Sequence, residues 1–388
     1  MSAFRRIFAL LLVCLLLLAP SCAEQTGATP EGSEIQCASL PFDAPAVSAS
    51  AAVLLDASNG SRRILWSRNG NERMSPASTT KVMTTLVAIE ALPLSHKVTI
   101  PAEAVGVEGS SVYLTEGEEF TLEELLYCVM LESANDAATA VALAVAGSVE
   151  AFAALMNAKA AELGLENTHF VNPHGLDAEG HYISAGDLAL ILAAALENEA
   201  FSKISATYKT TVGGPEGTRL LVNHNRLLRS YEGSLGGKTG YTRASGRCLV
   251  SAAEREGLRL VAVTLADPDD WQDHTALLDA GFDQLCAVRL TVDGELSVAI
   301  AGGEQESLRC VCATSPIAVL RTQHGEITHE IEMERTLVAP VAAGDRVGRV
   351  VFYCDGAPIG ESTIVTEYSA ARKPRGSLWQ RIKDFFVS

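Results

Sequence analysis

Positive charge is in short supply in this 388-residue chain: 30 lysines and arginines face 47 aspartates and glutamates, a formal net charge of −17. Nucleic acid, duplex or single-stranded, demands a basic surface, so it is not expected as a partner. Cysteine gives no framework either. An export signal over residues 1–23 would remove Cys14 and Cys22, leaving Cys37, Cys128, Cys248, Cys286, Cys310, Cys312 and Cys354. An odd number cannot pair completely within one chain. Cys310 and Cys312 lack a second pair of ligands and make a weak metal site. Cys128 and Cys248 sit in apolar stretches, where packing is the ordinary role. No metal or organic cofactor is expected. No internal repeat is visible, and 48% hydrophobic against 20% charged residues argues against wholesale disorder. The length leaves room for two domains, one with a substantial core.

The apolar run Ile7–Ala19 is short for a bilayer span. With Arg5 and Arg6 before it and the small residues Ser21, Cys22 and Ala23 after it, it reads as a cleaved export signal. Lipidation of Cys22 is the alternative, into which Pro20 fits badly. Residues 24–44, rich in Gly, Pro, Ser, Thr and Glu, read as a linker.

The stretch "SAAVLLDASNGSRRILWSRNGNERMSP" has two apolar strands around an Asn59-Gly60 turn, the pattern of a hairpin. A helix is expected from about Ser78, and alanine-rich helical patterns follow over 121–146, 149–164 and 185–197. Strand-like runs return at "GRCLVSAAE" and "LRLVAVTLAD". Strands, a helical block and strands again predict one mixed α/β unit over 45–287, with a sheet packed against helices. From residue 288 to about Tyr368 short alternating runs are separated by Asp293-Gly294, Gly302-Gly303 and Asp355-Gly356, which predicts a small all-β domain. Within it "EITHEIEME" alternates Ile327, His329, Ile331 and Met333 with Thr or acids, as a half-exposed strand should.

The last residues, 369–388, differ again. Leu378, Trp379, Ile382, Phe385 and Phe386 share a helical face, and Arg372, Lys373, Arg375, Arg381 and Lys383 oppose a single acid, Asp384. A basic amphipathic helix suits an anionic membrane surface. A terminal helix docked on its own domain is the other reading.

Three polar interruptions carry the chemistry. In "MSPASTTKVMTTLVAIEAL" the spacing of three puts Lys81 on one helical face with Ser78, just before an apolar run. An amine acts as a base only when burial or a neighbouring cation lowers its pKa. In "LLYCVMLESANDAATAVALAV", Ser133-Ala134-Asn135 breaks two apolar helical segments, and a tight connection there would point Ser133 and Asn135 into a cleft. Asn135 as a simple helix cap remains open. In "GSLGGKTGYTRASGRCLVSAAE", Lys238 and Thr239 would face the cleft from an edge strand, with Gly240 letting a substrate backbone come close.

Ser-x-x-Lys, a Ser-x-Asn element and Lys-Thr-Gly occur together in penicillin-binding proteins and, in related form, in class A β-lactamases. The chain resembles the low-molecular-mass serine D-alanyl-D-alanine carboxypeptidases. The likeness runs from about Pro45 to Tyr368 and includes "PASTTK", "GSSVYLTEGE", "ESANDAA", "NPHGLDAEGHYISAGDLAL" and "GGKTGYT". It implies a transpeptidase-like α/β (α+β) domain with a helical block on an antiparallel sheet, a small all-β domain and a membrane-associating C-terminal helix. It implies a substrate as well: peptidoglycan stem peptides ending in D-Ala-D-Ala, with β-lactams as covalent inhibitors, at the extracytoplasmic face of the membrane or the cell wall. By the same resemblance Ser78 would be the nucleophile, Lys81 its base, and Ser133 the relay to the leaving D-alanine. Asn135 would hold the acyl-chain amide or position Lys81. Lys238 and Thr239 would bind the terminal carboxylate, and Lys238 would help keep Lys81 neutral. The backbone N–H groups of Ser78 and Tyr241 would form the oxyanion hole, about 3 kcal/mol per donor in comparable acyl transfers. Histidine is usual where Tyr241 stands, a departure that touches specificity more than chemistry. His174 and Asp177 would order their loop.

A β-lactamase needs a glutamate to activate deacylating water. "ELGLEN" offers Glu162 and Glu166, but without the Glu-x-x-Leu-Asn spacing. A D,D-endopeptidase is compatible with the same motifs. A silent wall-binding or sensor protein would be signalled by loss of Ser78, Lys81 or Lys238, and all three are present.

Overall fold

The structure, a computed structural model, describes residues 42–374 apart from 214–216, 291, 293, 313–315 and 321–325. The expected export signal, most of the linker and the apolar face of the tail lie outside the described residues. Strand β1 (Ala51–Asp56) is buried at every position. Its alternation explains why: Ala51, Val53 and Leu55 enter one core, Ala52 and Leu54 another. Both faces of the strand are therefore covered. A 3-10 turn (Ser58–Gly60) returns the chain to β2 (Arg63–Arg68), which pairs antiparallel with β1, so the expected hairpin is present.

The helical block follows: α1 (Lys81–Ala91), a small hairpin of β3 (Lys97–Thr99) and β4 (Glu119–Thr121), α2 (Leu122–Leu131), α3 (Asn135–Ala146), α4 (Val149–Glu162), α5 (Ala185–Leu196) and α6 (Glu199–Ala206). The start of α2 is a capping box. Thr121 Oγ1 accepts from the Glu124 N–H, and Glu124 Oε2 accepts from the Thr121 N–H. A second hairpin of β5 (Lys209–Val212) and β6 (Arg219–Val222) and the short α7 (Leu227–Ser230) lead to β7 (Ser234–Thr242), β8 (Gly246–Arg255) and β9 (Leu258–Leu265).

The main sheet has the order β2-β1-β9-β8-β7, antiparallel throughout, with β7 at one edge. Helix α5, buried at eleven of its twelve positions, packs on β9 and β1 and against α1. On the other face lies α8 (Asp270–Gln284), whose Leu277, Leu278 and Phe282 meet Leu54, Leu249 and Leu260. The sequence patterns placed no helix there, so the expected two layers become three. Among the described residues no single helix is long and apolar enough to cross a membrane.

From β10 (Leu285–Arg289) onward the chain is all β. The remaining strands are β11 (Leu296–Ala301), β12 (Ser307–Cys312), β13 (Pro316–Leu320), β14 (Ile327–Met333), β15 (Thr336–Val338), β16 (Arg346–Cys354) and β17 (Ala357–Thr366). β10 pairs with β13, and the others form a sheet of order β14-β16-β17-β12-β11-β15 around a core of its own with Val298, Leu308, Val350, Phe352 and Ile364. Pairing continues past Tyr368, through bridges Val341 to Ala370 and Gly303 to Arg372. One expectation fails. β14 is the outermost strand, and Ile327 and Ile331 remain 48% and 41% exposed, with only Met333 packed against the core. Alternation distinguishes the two faces of a strand but does not supply a cover for either.

Candidate active site

The polar group before α1 forms a 3-10 turn, Ala77–Thr80, and the α-helix proper starts at Lys81 rather than at Ser78. No side chain caps that helix. Ala77 holds φ at 46°, in the left-handed region, which costs an alanine about 1–3 kcal/mol. The opposing chain is shaped to receive it. A Cβ on Gly175, itself at φ +88°, would lie 1.8 Å from the Ala77 carbonyl oxygen. Only glycine fits beneath this turn. Met74, bridged to Ile183 by two backbone hydrogen bonds, fixes the approach to it.

Ser78 is half-buried, whereas Lys81 is 0% exposed. Lys81 Nζ lies 2.9 Å from Ser78 Oγ, and it donates to Asn135 Oδ1 at 2.7 Å and to the His174 carbonyl at 2.6 Å. Burial is the main force holding its pKa well below the ordinary lysine range. The Lys238 charge acts in the same direction and Asp136 opposes it. A neutral amine has two N–H bonds and one lone pair. With both N–H bonds held by fixed acceptors, the lone pair is directed at Ser78 Oγ.

The Ser-x-Asn element lies between α2 and α3. Ser133 sits at φ 60°, another left-handed non-glycine residue. Asn135 is the first residue of α3 rather than its cap: Oδ1 accepts from Lys81, and Nδ2 donates to the Glu108 carbonyl at 2.6 Å. Of the two roles left open for Asn135, the geometry matches positioning of the lysine. Its neighbour Asp136, 1% exposed, accepts from Ser111 Oγ, the Leu114 N–H and the Val112 N–H, tying the Ser110–Leu114 loop to the start of α3. The sequence reading missed Asp136, although it lies within the quoted "ESANDAA".

Edge strand β7 brings the third element. Ser78, Ser133, Thr239, Gly240 and Tyr241 line an open cleft of about 490 Å³, together with Ser110, His224, Arg226, Arg247, Asp270 and Trp271. Lys238 does not line it. Neighbours on a strand point to opposite faces. Lys238 is 1% exposed, and its ammonium donates to the Thr239 carbonyl at 2.9 Å. Burial lowers its pKa to about 7. Gly240 has a close neighbour within the chain as well: a Cβ there would come 3.0 Å from both the Ser78 nitrogen and the Ala77 Cβ, so glycine permits the Ser78 turn to pack against the strand. Tyr241 is 67% exposed, at the mouth.

The loop carrying His174 and Asp177 closes the other side. His174 engages Lys81 through its main chain, and burial, with Lys81 nearby, pushes its imidazole down to about 3. Asp177 Oδ1 accepts from Ser75 Oγ. His181, pushed by burial to about 4, accepts the Val171 N–H at Nδ1, so Nε2 carries the proton toward Thr80 Oγ1. Glu162 pairs with Lys159, and neither Glu162 nor Glu166 lines the cleft.

Two family models match this chain. Residues 39–269 match the model described as D-alanyl-D-alanine carboxypeptidase, peptidase S11. Residues 288–371 match the penicillin-binding protein 5 C-terminal domain. The chain belongs to the S11 D-alanyl-D-alanine carboxypeptidases. Among its relatives, the Bacillus subtilis D-alanyl-D-alanine carboxypeptidase DacF is 36% identical over 82% of this chain and 85% of its own length. The Escherichia coli D-alanyl-D-alanine carboxypeptidase DacC is 32% identical over 89% of each. The crystal structure of penicillin-binding protein 5 from Haemophilus influenzae superposes with a TM-score of 0.67 at 28% identity, covering 85% of this chain and 99% of that one. The carboxypeptidase thus has the penicillin-binding-protein fold, with an all-β domain at its C-terminal end.

The side chains that sequence reasoning missed lie on the outer wall of the enzyme's cleft: Ser110, His224, Arg226, Arg247, Asp270 and Trp271. The only signal among them is the alternation of "NHNRL". Asn223, Asn225 and Leu227 are buried, while His224 and Arg226 are exposed.

Proposed function

We propose that this carboxypeptidase removes the terminal D-alanine from peptidoglycan stem peptides through an ester on Ser78. Neutral Lys81 takes the Ser78 hydroxyl proton as Oγ attacks the carbonyl carbon between the two D-alanines. The carbonyl oxygen becomes an oxyanion held by the Ser78 and Tyr241 backbone N–H groups. When the C–N bond breaks, the proton passes from Lys81 through Ser133 to the leaving nitrogen, and D-alanine departs. Water then adds to the ester, giving its proton to Lys81, and Ser78 Oγ recovers a proton as the shortened peptide leaves. A β-lactam would acylate the same oxygen. Asn135 positions Lys81, while the Lys238 charge and burial keep its amine deprotonated. Thr239 takes part of the terminal carboxylate. The observation that carries this reading is the buried Lys81 amine 2.9 Å from Ser78 Oγ, with its other contacts on fixed oxygens.

The test is release of free D-alanine from a pentapeptide ending in D-Ala-D-Ala, paired with intact-mass detection of a penicillin adduct. Both are expected for the chain lacking residues 1–23, and both should vanish in Ser78→Ala. An adduct surviving that substitution would remove the mechanism.

We further infer export through residues 1–23 and attachment to an anionic membrane surface through the tail. Support comes from the charge and periodicity of those segments. Because Ala370 and Arg372 pair with the β domain, the informative truncation removes 375–388. It should keep D-alanine release and lose binding to anionic liposomes. Undiminished liposome binding would refute the anchor.

A further inference from the structure

The segment "GSSVYLTEGE" borders the cleft without supplying a group to the chemistry proposed for Ser78. Ser110 lines the cleft, and Tyr113 follows three residues later with its side chain 82% exposed. Its φ is 58°, in the left-handed region, where a bulky residue is an outlier and glycine or asparagine is the usual choice. Val112 and Leu114 on either side are buried in the helical core and anchor the loop. The backbone therefore does not require a tyrosine here, and neither does packing.

The strained conformation is nonetheless held firmly. The Tyr113 N–H donates to Ser111 Oγ at 2.9 Å, and that hydroxyl donates to the buried Asp136 at 2.6 Å. From β6, Arg219 donates through Nε to the Val112 carbonyl at 2.8 Å and through Nη2 to the Tyr113 carbonyl at 3.0 Å. Glu118 accepts from the same Nη2 at 2.9 Å and from the Thr115 N–H at 2.8 Å. The guanidinium lies over the Phe120 ring, 5.4 Å from its centroid. Strain maintained in this way is a feature of ligand clamps and other functional positions. Other exposed apolar side chains share this rim: Tyr241 lines the cleft, and Leu220 follows Arg219 on β6. Apolar groups gathered beside a site mark recognition, whereas scattered ones do not.

Stem peptides hang from strands of amino sugars, so a cleft that takes the peptide has sugar at its rim. A pyranose has a C–H face that stacks on an aromatic ring while its hydroxyls stay in water, and a tyrosine offers such a ring with a polar tip. The reach agrees. Ser110 and Tyr113 are at most about 11 Å apart along the chain, and the four stem residues between the sugar and the scissile bond extend about 13–14 Å. We propose that the Tyr113 ring is a stacking platform for an amino-sugar ring of the strand that carries the stem. The assignment rests on the carboxypeptidase reading of Ser78. It makes the enzyme prefer stems still attached to sugar over free peptides.

The experiment compares kcat/KM of the full-length protein for D-alanine release from two soluble substrates. One is a free pentapeptide ending in D-Ala-D-Ala, and the other is the same pentapeptide joined to a disaccharide of N-acetylated amino sugars. A stacking contact governs about 3- to 10-fold in affinity. The wild type should prefer the sugar-bearing substrate by about that factor, mostly through KM. Tyr113→Ala and Tyr113→Asn should both abolish the preference, and Tyr113→Phe should keep it. Asparagine tolerates the left-handed backbone, so that variant separates the ring from the loop. Equal wild-type values on the two substrates would overturn the assignment, as would a preference that survives Tyr113→Asn. An equal loss on both substrates would overturn it too, since the tyrosine would then serve the peptide or the loop. Penicillin carries no sugar, so intact-mass acylation of the wild type shows the Ser78 reading standing even where the platform fails. Absence of that adduct would mark failure of the Ser78 reading itself.

Discussion

Two buried lysines behind the cleft and one arginine of the C-terminal sheet show how differently this molecule uses positive charge. Lys81 and Lys238 are 0% and 1% exposed, and their hydrogen bonds go to neutral oxygens. Arg349, on β16, has a side chain 42% exposed and bonds Glu332 at 2.7 Å and Glu361 at 2.9 Å. Burying an ammonium without a carboxylate disfavours its charged form, which is what a base requires and what a stable fold resists. The exposed trio across β14, β16 and β17 does the reverse: it keeps every charge solvated and contributes little in either direction. Left-handed Ala77 and Ser133 add strain on the same side of the comparison. Instability is concentrated where the chemistry is.

The contrast breaks most sharply at Lys81. Lys81→Met should lower D-alanine release by about 10³-fold or more, since a general base supplies about 10²- to 10⁴-fold. The same protein should melt no lower than the wild type, because a buried amine has been replaced by an apolar chain of similar length. A clear fall in Tm would show that the lysine supports the fold rather than burdening it. Next comes Gly175→Ala, where a methyl group would meet the Ala77 carbonyl. The expected cost is about 2–3 kcal/mol by denaturant unfolding, with a loss of acylation rate as the turn shifts.

Proton linkage gives a smaller, graded effect. Lys238 titrates near 7 in the folded chain against 10.5 ordinarily. Between those values the unfolded state binds more protons, so stability rises with pH across that window and the penalty is complete below about 7. Thermal melts from pH 7 to 9.5 should therefore show a steeper rise for the wild type than for Lys238→Met. Parallel curves would remove Lys238 as the source. Smallest of all, Arg349→Ala should change stability by less than about 1 kcal/mol and leave turnover unaltered. A larger loss would mean that the exposed trio acts as a network.

The three motifs were readable because each sets polar residues inside an apolar run, where packing alone would not put them. The first hairpin was readable from its alternation around a turn. Helix α8 was not: its apolar residues, Leu277, Leu278 and Phe282, are scattered among Asp270, Asp273, Asp279 and Asp283, and only the sheet face they cover reveals their purpose. The lining role of Arg226 was hidden for another reason, since it depends on Asn223 and Asn225 anchoring a backbone turn and on Trp271 arriving from 45 residues later. The outward turn of Ile327 and Ile331 was unreadable because it reflects what is missing from one side of a sheet.

Gly240 has one further consequence. Strand β7 carries Thr239 at the cleft and, one residue on, the bare backbone against which the Ser78 turn rests. The Ser78 turn and the Thr239 side of the cleft therefore meet on one strand, so that a bulge or register shift in β7 would disturb both at once.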